Sequence, residues 1–234
     1  MVAVKPETKV LAFDAWGTLL DDCGIHTEWI RREIAPRFGV DVEKFHAIWD
    51  SYAMSLKASG KFMYMEELML AGLKEALSRF SIRLPEDEVK RLNESCLEHF
   101  VKLVKLYEDV KPTLNALKGR YRLAILSDED HWRLERILRR TGIKKFFEVV
   151  VTSSMVKAYK PSPLLFNELL RRMEVRPQEV LFVGDSPERD VLGAKRVGMK
   201  AVLLLRGKKE VDAPVKPDLT VNSLLELVSL LKRG

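Results

Sequence analysis

Five polar residues stand at or just beyond the ends of apolar runs. Asp14 follows Val10-Leu11-Ala12-Phe13, Ser127 follows Leu123-Ala124-Ile125-Leu126, and Lys160 lies past Val149-Val150-Val151-Thr152. Asp185 follows Val180-Leu181-Phe182-Val183-Gly184, with Asp190 close behind it. A carboxylate at the end of so apolar a run is costly to bury unless it is paired or does chemistry. Two carboxylates at neighbouring strand ends repel each other unless a cation separates them. An all-oxygen set of Asp14, Asp185 and Asp190 has the donor chemistry that Mg²⁺ prefers. Lys160 supplies a point charge suited to a phosphate or to holding a carboxylate nucleophile in place. Ser127 can donate to a phosphate oxygen. Taken singly, each has a plainer reading: Ser127 caps a helix, Lys160 is a surface charge, Asp190 belongs to a first helical turn. Together, at four strand ends, they point to a site.

The elements that must position these residues follow from periodicity. The apolar runs at 10–13, 122–127, 147–152, 180–185 and 201–205 read as strands buried on both faces. Helical segments separate the later ones: 112–117, 132–140 closed by Gly142, 163–173, 191–197 closed by Gly198, and a final helix over 221–231. Strands alternating with helices predict a parallel sheet covered on both faces. Ligands of such sheets bind outside the carboxyl ends of the strands, where the five polar residues stand. Between Ile25 and Tyr107 the pattern is helical instead. Trp29, Ile30, Ile34 and Phe38 share one stripe; Phe45, Ile48, Trp49 and Tyr52 another. Leu68, Leu73 and Leu77, then Val89, Leu92, Cys96, Phe100 and Leu103, make two more, with Pro85 opening the last. Residues 22–108 therefore read as a helical insertion, with 1–21 and 109–234 forming the α/β core. The aromatic and Met stripes read as bundle core.

At 234 residues, 47% of them hydrophobic, the chain can bury a sizeable core. Forty Lys and Arg against 34 Asp and Glu give a net charge of +6. The excess forms no long basic block, which argues against nucleic acid and favours attraction of a small anionic substrate. Cys23 and Cys96 are far apart and form no metal-binding or disulfide pattern. No run is apolar enough to span a membrane and no signal-peptide pattern opens the chain. A cytoplasmic protein is expected, and a charge-rich chain whose only glutamine is Gln178 hints at a thermophile.

The motifs resemble those of the haloacid dehalogenase (HAD) superfamily, and the resemblance extends over the whole chain. Phe13-Asp14-Ala15-Trp16-Gly17-Thr18-Leu19 resembles its first motif, Leu126-Ser127-Asp128 its second, and Tyr159-Lys160-Pro161 its lysine segment. Gly184-Asp185-Ser186-Pro187-Glu188-Arg189-Asp190 resembles its acidic fourth motif. The resemblance implies a Rossmann-like α/β core with an inserted helical cap of the C1 type. It further implies that Asp14 is a nucleophile forming a covalent intermediate that water cleaves, with Lys160 and Ser127 assisting. Mg²⁺ would be held by Asp14, Asp185, Asp190 and the backbone carbonyl of Trp16. Ser127, Asp128, Trp16 and Gly17 would contact the substrate.

Trp16 departs from the family pattern. Phosphatases of this family usually carry a second Asp there to move a proton, and an indole cannot do so. General acid–base help is typically worth about 10²–10⁴-fold. The family's 2-haloacid dehalogenases carry an aromatic at this position, but work without metal and lack the Gly-Asp that opens the fourth motif. Asp128, His26 and Asp22 are candidates for the missing proton carrier. Asp128 and His26 also read simply as residues at helix starts. The leading expectation is a Mg²⁺-dependent phosphatase acting on a small phosphate ester. The alternatives are a metal-independent 2-haloacid dehalogenase, a phosphotransferase such as a mutase, and a catalytically weakened binding protein. The oligomeric state is expected to be a monomer or homodimer.

Overall fold

Val10–Phe13 forms β1, the strand beside which the site is built. The computed structural model describes residues 8–21, 24–207 and 214–232. Successive β1 side chains alternate faces. Val10 and Ala12 join a core cluster with Phe166, Leu169 and Ala194, while Leu11 and Phe13 turn the other way, and all four are fully buried. A strand covered on both faces has to be apolar throughout, which is why β1 shows no alternation. The chain then turns through Gly17 into β2 (Leu20–Asp21).

The described residues fall into two compact units, Asp22–Val104 and the pair Met1–Asp21 with Lys105–Gly234. The first is helical. α1 (Ile25–Trp29) runs through a π-helical stretch, Ile30–Ile34, into α2 (Ala35–Phe38), which stops at Gly39 with φ 65°. α3 (Val42–Ala58) is capped by Asp41, whose side chain accepts from the Lys44 N–H at 2.8 Å. α4 (Met65–Arg79) packs against α3 with Gly72 pressed on Trp49, whose indole N–H donates to the Met69 carbonyl at 2.8 Å. α5 (Glu86–Leu103) buries Val89, Leu92, Cys96 and Phe100 of the stripe expected from the spacing, while Leu103, its last expected member, is exposed at the helix end.

The second unit resumes with β3 (Lys105–Leu106), antiparallel to β2. It continues through α6 (Val110–Leu117), β4 (Arg122–Ser127), α7 (His131–Arg140), β5 (Val149–Thr152), α8 (Ser153–Val156) and α9 (Pro163–Met173). β6 (Val180–Gly184), a π-helical turn at Pro187–Val191, α10 (Leu192–Arg196), β7 (Lys200–Leu204), β8 (Leu219–Val221) and α11 (Leu224–Lys232) complete it. The main sheet has the order β5-β4-β1-β6-β7-β8, every pair parallel. This is the parallel sheet anticipated from the alternating pattern, in the Rossmann-like form that the family resemblance implies.

Three details differ from the sequence reading. Helical periodicity extends to Tyr107, yet α5 ends at Leu103 and Lys105–Leu106 is a strand. β8 gives the sheet a sixth strand, too short to show a period. The helix expected over 191–197 is present as α10, one residue shorter at each end, and a π-turn at Pro187–Val191 leads into it. Cys23 and Asp22 lie outside the described residues.

Candidate active site

Register explains why distant residues meet. Phe13 pairs with Ile125 on one side and with Val183 on the other. Asp14 is therefore level with the ends of β4 and β6, where Ser127 and Asp185 leave the sheet. From β1 the next strand of this sheet is β4, on one side; from β6 the chain moves to β7, on the other. β1 and β6 flank the point where strand order reverses, the place where open α/β sheets form a crevice.

Lys160 is the hub. Its ammonium lies 2.5 Å from Asp14 Oδ1 and 2.6 Å from Asp190 Oδ1. All three residues are at most 5% exposed. The Lys160 segment is itself fixed by Asp128, whose Oδ1 accepts the Lys160 backbone N–H at 2.8 Å. Asp190 Oδ2 accepts the Ser186 N–H at 3.0 Å, so the π-turn folds this carboxylate back towards the strand end. Ser127 is fully buried, and its hydroxyl makes no hydrogen bond among the described residues.

Burial is the largest influence on Asp14 and pushes its pKa up; Lys160 pulls it down, and Asp190 and Asp185 push it up again. The result is a carboxyl raised to about 7. Burial alone would lower the Lys160 pKa, but the combined field of Asp14, Asp190 and Asp128 outweighs it and holds the ammonium protonated.

Asp14, Asp185 and Asp190 each offer an oxygen, and these oxygens lie within 4.8 Å of one another. Glycines make the room. A Cβ at Gly17, whose φ is 77°, would run into the Asp185 carboxylate, and one at Gly184 into the Asp190 carboxyl. Three carboxylates seated by two glycines fit a small hard cation such as Mg²⁺. Arg189 stands beside this cluster, with Nη1 4.0 Å from Asp128 Oδ2.

Trp16 is half-buried and tethered. Its indole N–H donates to Glu129 Oε2 at 3.0 Å. Glu129 is clamped in turn by Arg133, through Nε on Oε1 at 3.0 Å and Nη2 on Oε2 at 2.6 Å, and it accepts the Asp130 N–H at 2.7 Å. Glu129 and Arg133 are 1% and 4% exposed. The sequence reading missed this pair. Its only signal is the i,i+4 spacing of Glu129 and Arg133, which is ordinary for exposed helix faces. Asp130, not Asp128, stands at the N-cap of α7. His26 lies in the helical unit, its ring 4.8 Å from that of Phe100 and 5.8 Å from that of Trp49, as an aromatic neighbour in that core. Among the described residues no helix is long and apolar enough to cross a membrane.

Comparison with known proteins returns the same architecture. A family model described as haloacid dehalogenase-like hydrolase matches residues 8–198. (S)-2-haloacid dehalogenase 1 of Pseudomonas sp. is 29% identical over 231 residues, covering 96% of this chain and 97% of that protein. Glyceraldehyde 3-phosphate phosphatase of Methanopyrus kandleri is 34% identical over 134 residues, covering 55% of this chain and 58% of that protein. A crystal structure of a dehalogenase with an intermediate complex superposes with a TM-score of 0.75 at 26% identity, covering 97% of this chain and 99% of that one.

Proposed function

The chain belongs to the haloacid dehalogenase-like hydrolase family, and we propose that it is a Mg²⁺-dependent phosphatase acting on a small phosphate monoester. One observation carries the choice between phosphate and halide chemistry: Asp185 lies beside Asp14 and Asp190, with an oxygen of each within 4.8 Å. The Lys160 ammonium offsets only one of these three carboxylates, and the negative charge that remains would repel an anionic substrate without a further cation. Asp14, Asp185, Asp190 and the Trp16 backbone carbonyl would hold Mg²⁺. When bound, the ion offsets the charge of the carboxylates and of the phosphoryl group.

The chain's own residues perform the rest. Lys160 holds one oxygen of Asp14, draws its pKa down against the effect of burial and orients the carboxylate, leaving the other oxygen to attack phosphorus. The new bond forms from Asp14 to phosphorus as the ester oxygen leaves, and water then cleaves the aspartyl phosphate. The free hydroxyl of Ser127 is placed to donate to a phosphoryl oxygen. The indole N–H of Trp16 is held by Glu129, so a leaving group that departs without a proton suits this site best. The preferred substrate is a small anion, with no nucleic acid or membrane partner.

Trp16, and a dehalogenase relative that spans nearly the whole chain, favour a second reading, hydrolysis of a 2-haloacid. The two separate in one assay. Purified protein is supplied with p-nitrophenyl phosphate or 2-chloropropionate, each with Mg²⁺ or EDTA. Phosphate release abolished by EDTA is the expected result. Chloride release that EDTA leaves intact would replace the phosphatase reading with the second one, and silence in all four arms would favour a binding protein.

A further inference from the structure

Arg206 belongs to none of the motif segments, and the chemistry above makes no use of it. It follows β7 with a φ of 49°, in the left-handed region that side-chain-bearing residues rarely adopt. Such backbone persists where its surroundings over-determine it, and often at functional sites. Here the surroundings are specific. Arg206 Nε donates to the Gly17 carbonyl at 3.2 Å and Nη2 to the Thr18 carbonyl at 2.5 Å. Nη2 also reaches Asp109 Oδ1 at 3.0 Å, and Asp109 Oδ2 accepts the Leu224 N–H at the start of α11 at 2.8 Å. The guanidinium lies over the Tyr107 ring, 3.7 Å from its centroid. The side chains of Arg206 and Asp109 are each 12% exposed.

The carbonyls that Arg206 grips belong to the turn carrying Gly17, and the α-carbon of Gly17 lies against the Asp185 carboxylate. At its other end the turn is tied to the sheet by the Asp14 N–H, which donates to the Val183 carbonyl at 2.9 Å. We propose that Arg206 is a positioning residue for the carboxylate cluster: by holding the Gly17 and Thr18 carbonyls it keeps the turn against Asp185, and so fixes Asp185 relative to Asp14. Asp109 and Tyr107 hold the guanidinium in place. The planar fork can engage both carbonyls and the carboxylate together, which a lysine ammonium does less well. The inference rests on the metal reading proposed above.

The test is calorimetric titration of Mg²⁺, with Mn²⁺ as a second probe, into metal-free protein, with thermal melting of every variant. Residues that orient metal ligands from behind typically account for about 10–100-fold in affinity. Arg206→Met is expected to weaken binding within that range, and Arg206→Lys to lose most of the same amount. Asp109→Asn should move affinity less, in the same direction, and Arg206→Met/Asp109→Asn no further than Arg206→Met alone. Lys195→Met is the control. It removes another ion pair anchored to β7, in which Lys195 lies 2.9 Å from Asp218 and Asp218 accepts the Ala201 N–H at 2.8 Å. That variant should melt earlier yet bind metal like wild type. Wild-type affinity in a folded Arg206→Met, or an equal loss in Lys195→Met, would overturn the positioning role. If Arg206→Met fails to fold, Arg206→Lys and Asp109→Asn decide by the same criterion. A wild-type protein that binds neither ion would overturn the magnesium reading and this inference with it.

Discussion

Two tryptophans and two glycines show how differently the units spend their buried polar contacts. In the helical unit, Trp49 donates its indole N–H to a backbone carbonyl, that of Met69, and Gly72 lets α4 approach that same tryptophan. In the sheet unit, Trp16 donates to a buried carboxylate, that of Glu129, and Gly17 lets the backbone approach a half-buried one, that of Asp185. The devices are alike. In one unit they serve packing, and the groups involved are neutral. In the other they seat charges, which low-polarity surroundings make costly unless each has a partner. Buried charge at the strand ends is therefore the mark of the site, whereas the Trp49–Gly72 contact is made by neutral groups alone.

The largest expected effect comes from uncoupling one buried charge. Glu129→Gln keeps an acceptor for Trp16 but removes the carboxylate charge that faces the buried Arg133 guanidinium. Breaking such a pair from one side costs about 3–5 kcal/mol, so urea unfolding should show a loss of that size. A loss below about 1 kcal/mol would mean that the pair is hydrated and the contrast between the units overstated.

The glycines sharpen the comparison. Gly17→Ala is expected to lower kcat/KM for p-nitrophenyl phosphate at fixed Mg²⁺ by about 10²-fold, near 2.7 kcal/mol. The melting temperature should fall by only a few degrees, reflecting the strain of an alanine at positive φ. Gly72→Ala should do the reverse. Overpacking against Trp49 costs about 1–3 kcal/mol of stability, while Mg²⁺ affinity measured by titration stays at the wild-type value.

The smallest effect is a pH dependence. The folded Asp14 carboxyl titrates at about 7, against an ordinary value of 3.8. A group whose pKa is raised by folding contributes stability below its unfolded pKa and loses it as pH rises through the folded one. Metal-free wild type should therefore lose this contribution between about pH 4 and pH 7. Asp14→Asn has no such dependence, so in EDTA its melting temperature should gain on wild type as pH rises from 5 to 8. Mg²⁺ should close the gap. A difference that is flat with pH would show that Asp14 is already ionised in the metal-free protein.

The contrast also explains what was legible in the sequence. Apolar runs ending in Asp14, Ser127 and Asp185 identify strands buried on both faces, because only such strands lack alternation. The parallel sheet and its polar edge follow from them. The helical stripes around Trp49 and Phe100 are equally legible, since packing repeats with the helix period. Glu129–Arg133 is not legible as a buried pair, because charges at i,i+4 ordinarily signal an exposed helix face, and the Arg206–Asp109 contact is not legible because it joins segments whose meeting depends on tertiary folding. β2, β3 and β8 are too short for any period to appear. The change at Trp16 is visible in the sequence, but its tether to Glu129 is not.

The most direct test of the central claim is phosphate release from p-nitrophenyl phosphate by wild type, Asp14→Asn and Asp185→Asn across a Mg²⁺ titration. Wild-type turnover is expected to rise with Mg²⁺, Asp14→Asn to show none at any concentration, and the Asp185→Asn curve to be displaced at least about tenfold to higher Mg²⁺. Turnover by wild type that ignores Mg²⁺, or an Asp185→Asn curve that overlays the wild type, would contradict that claim.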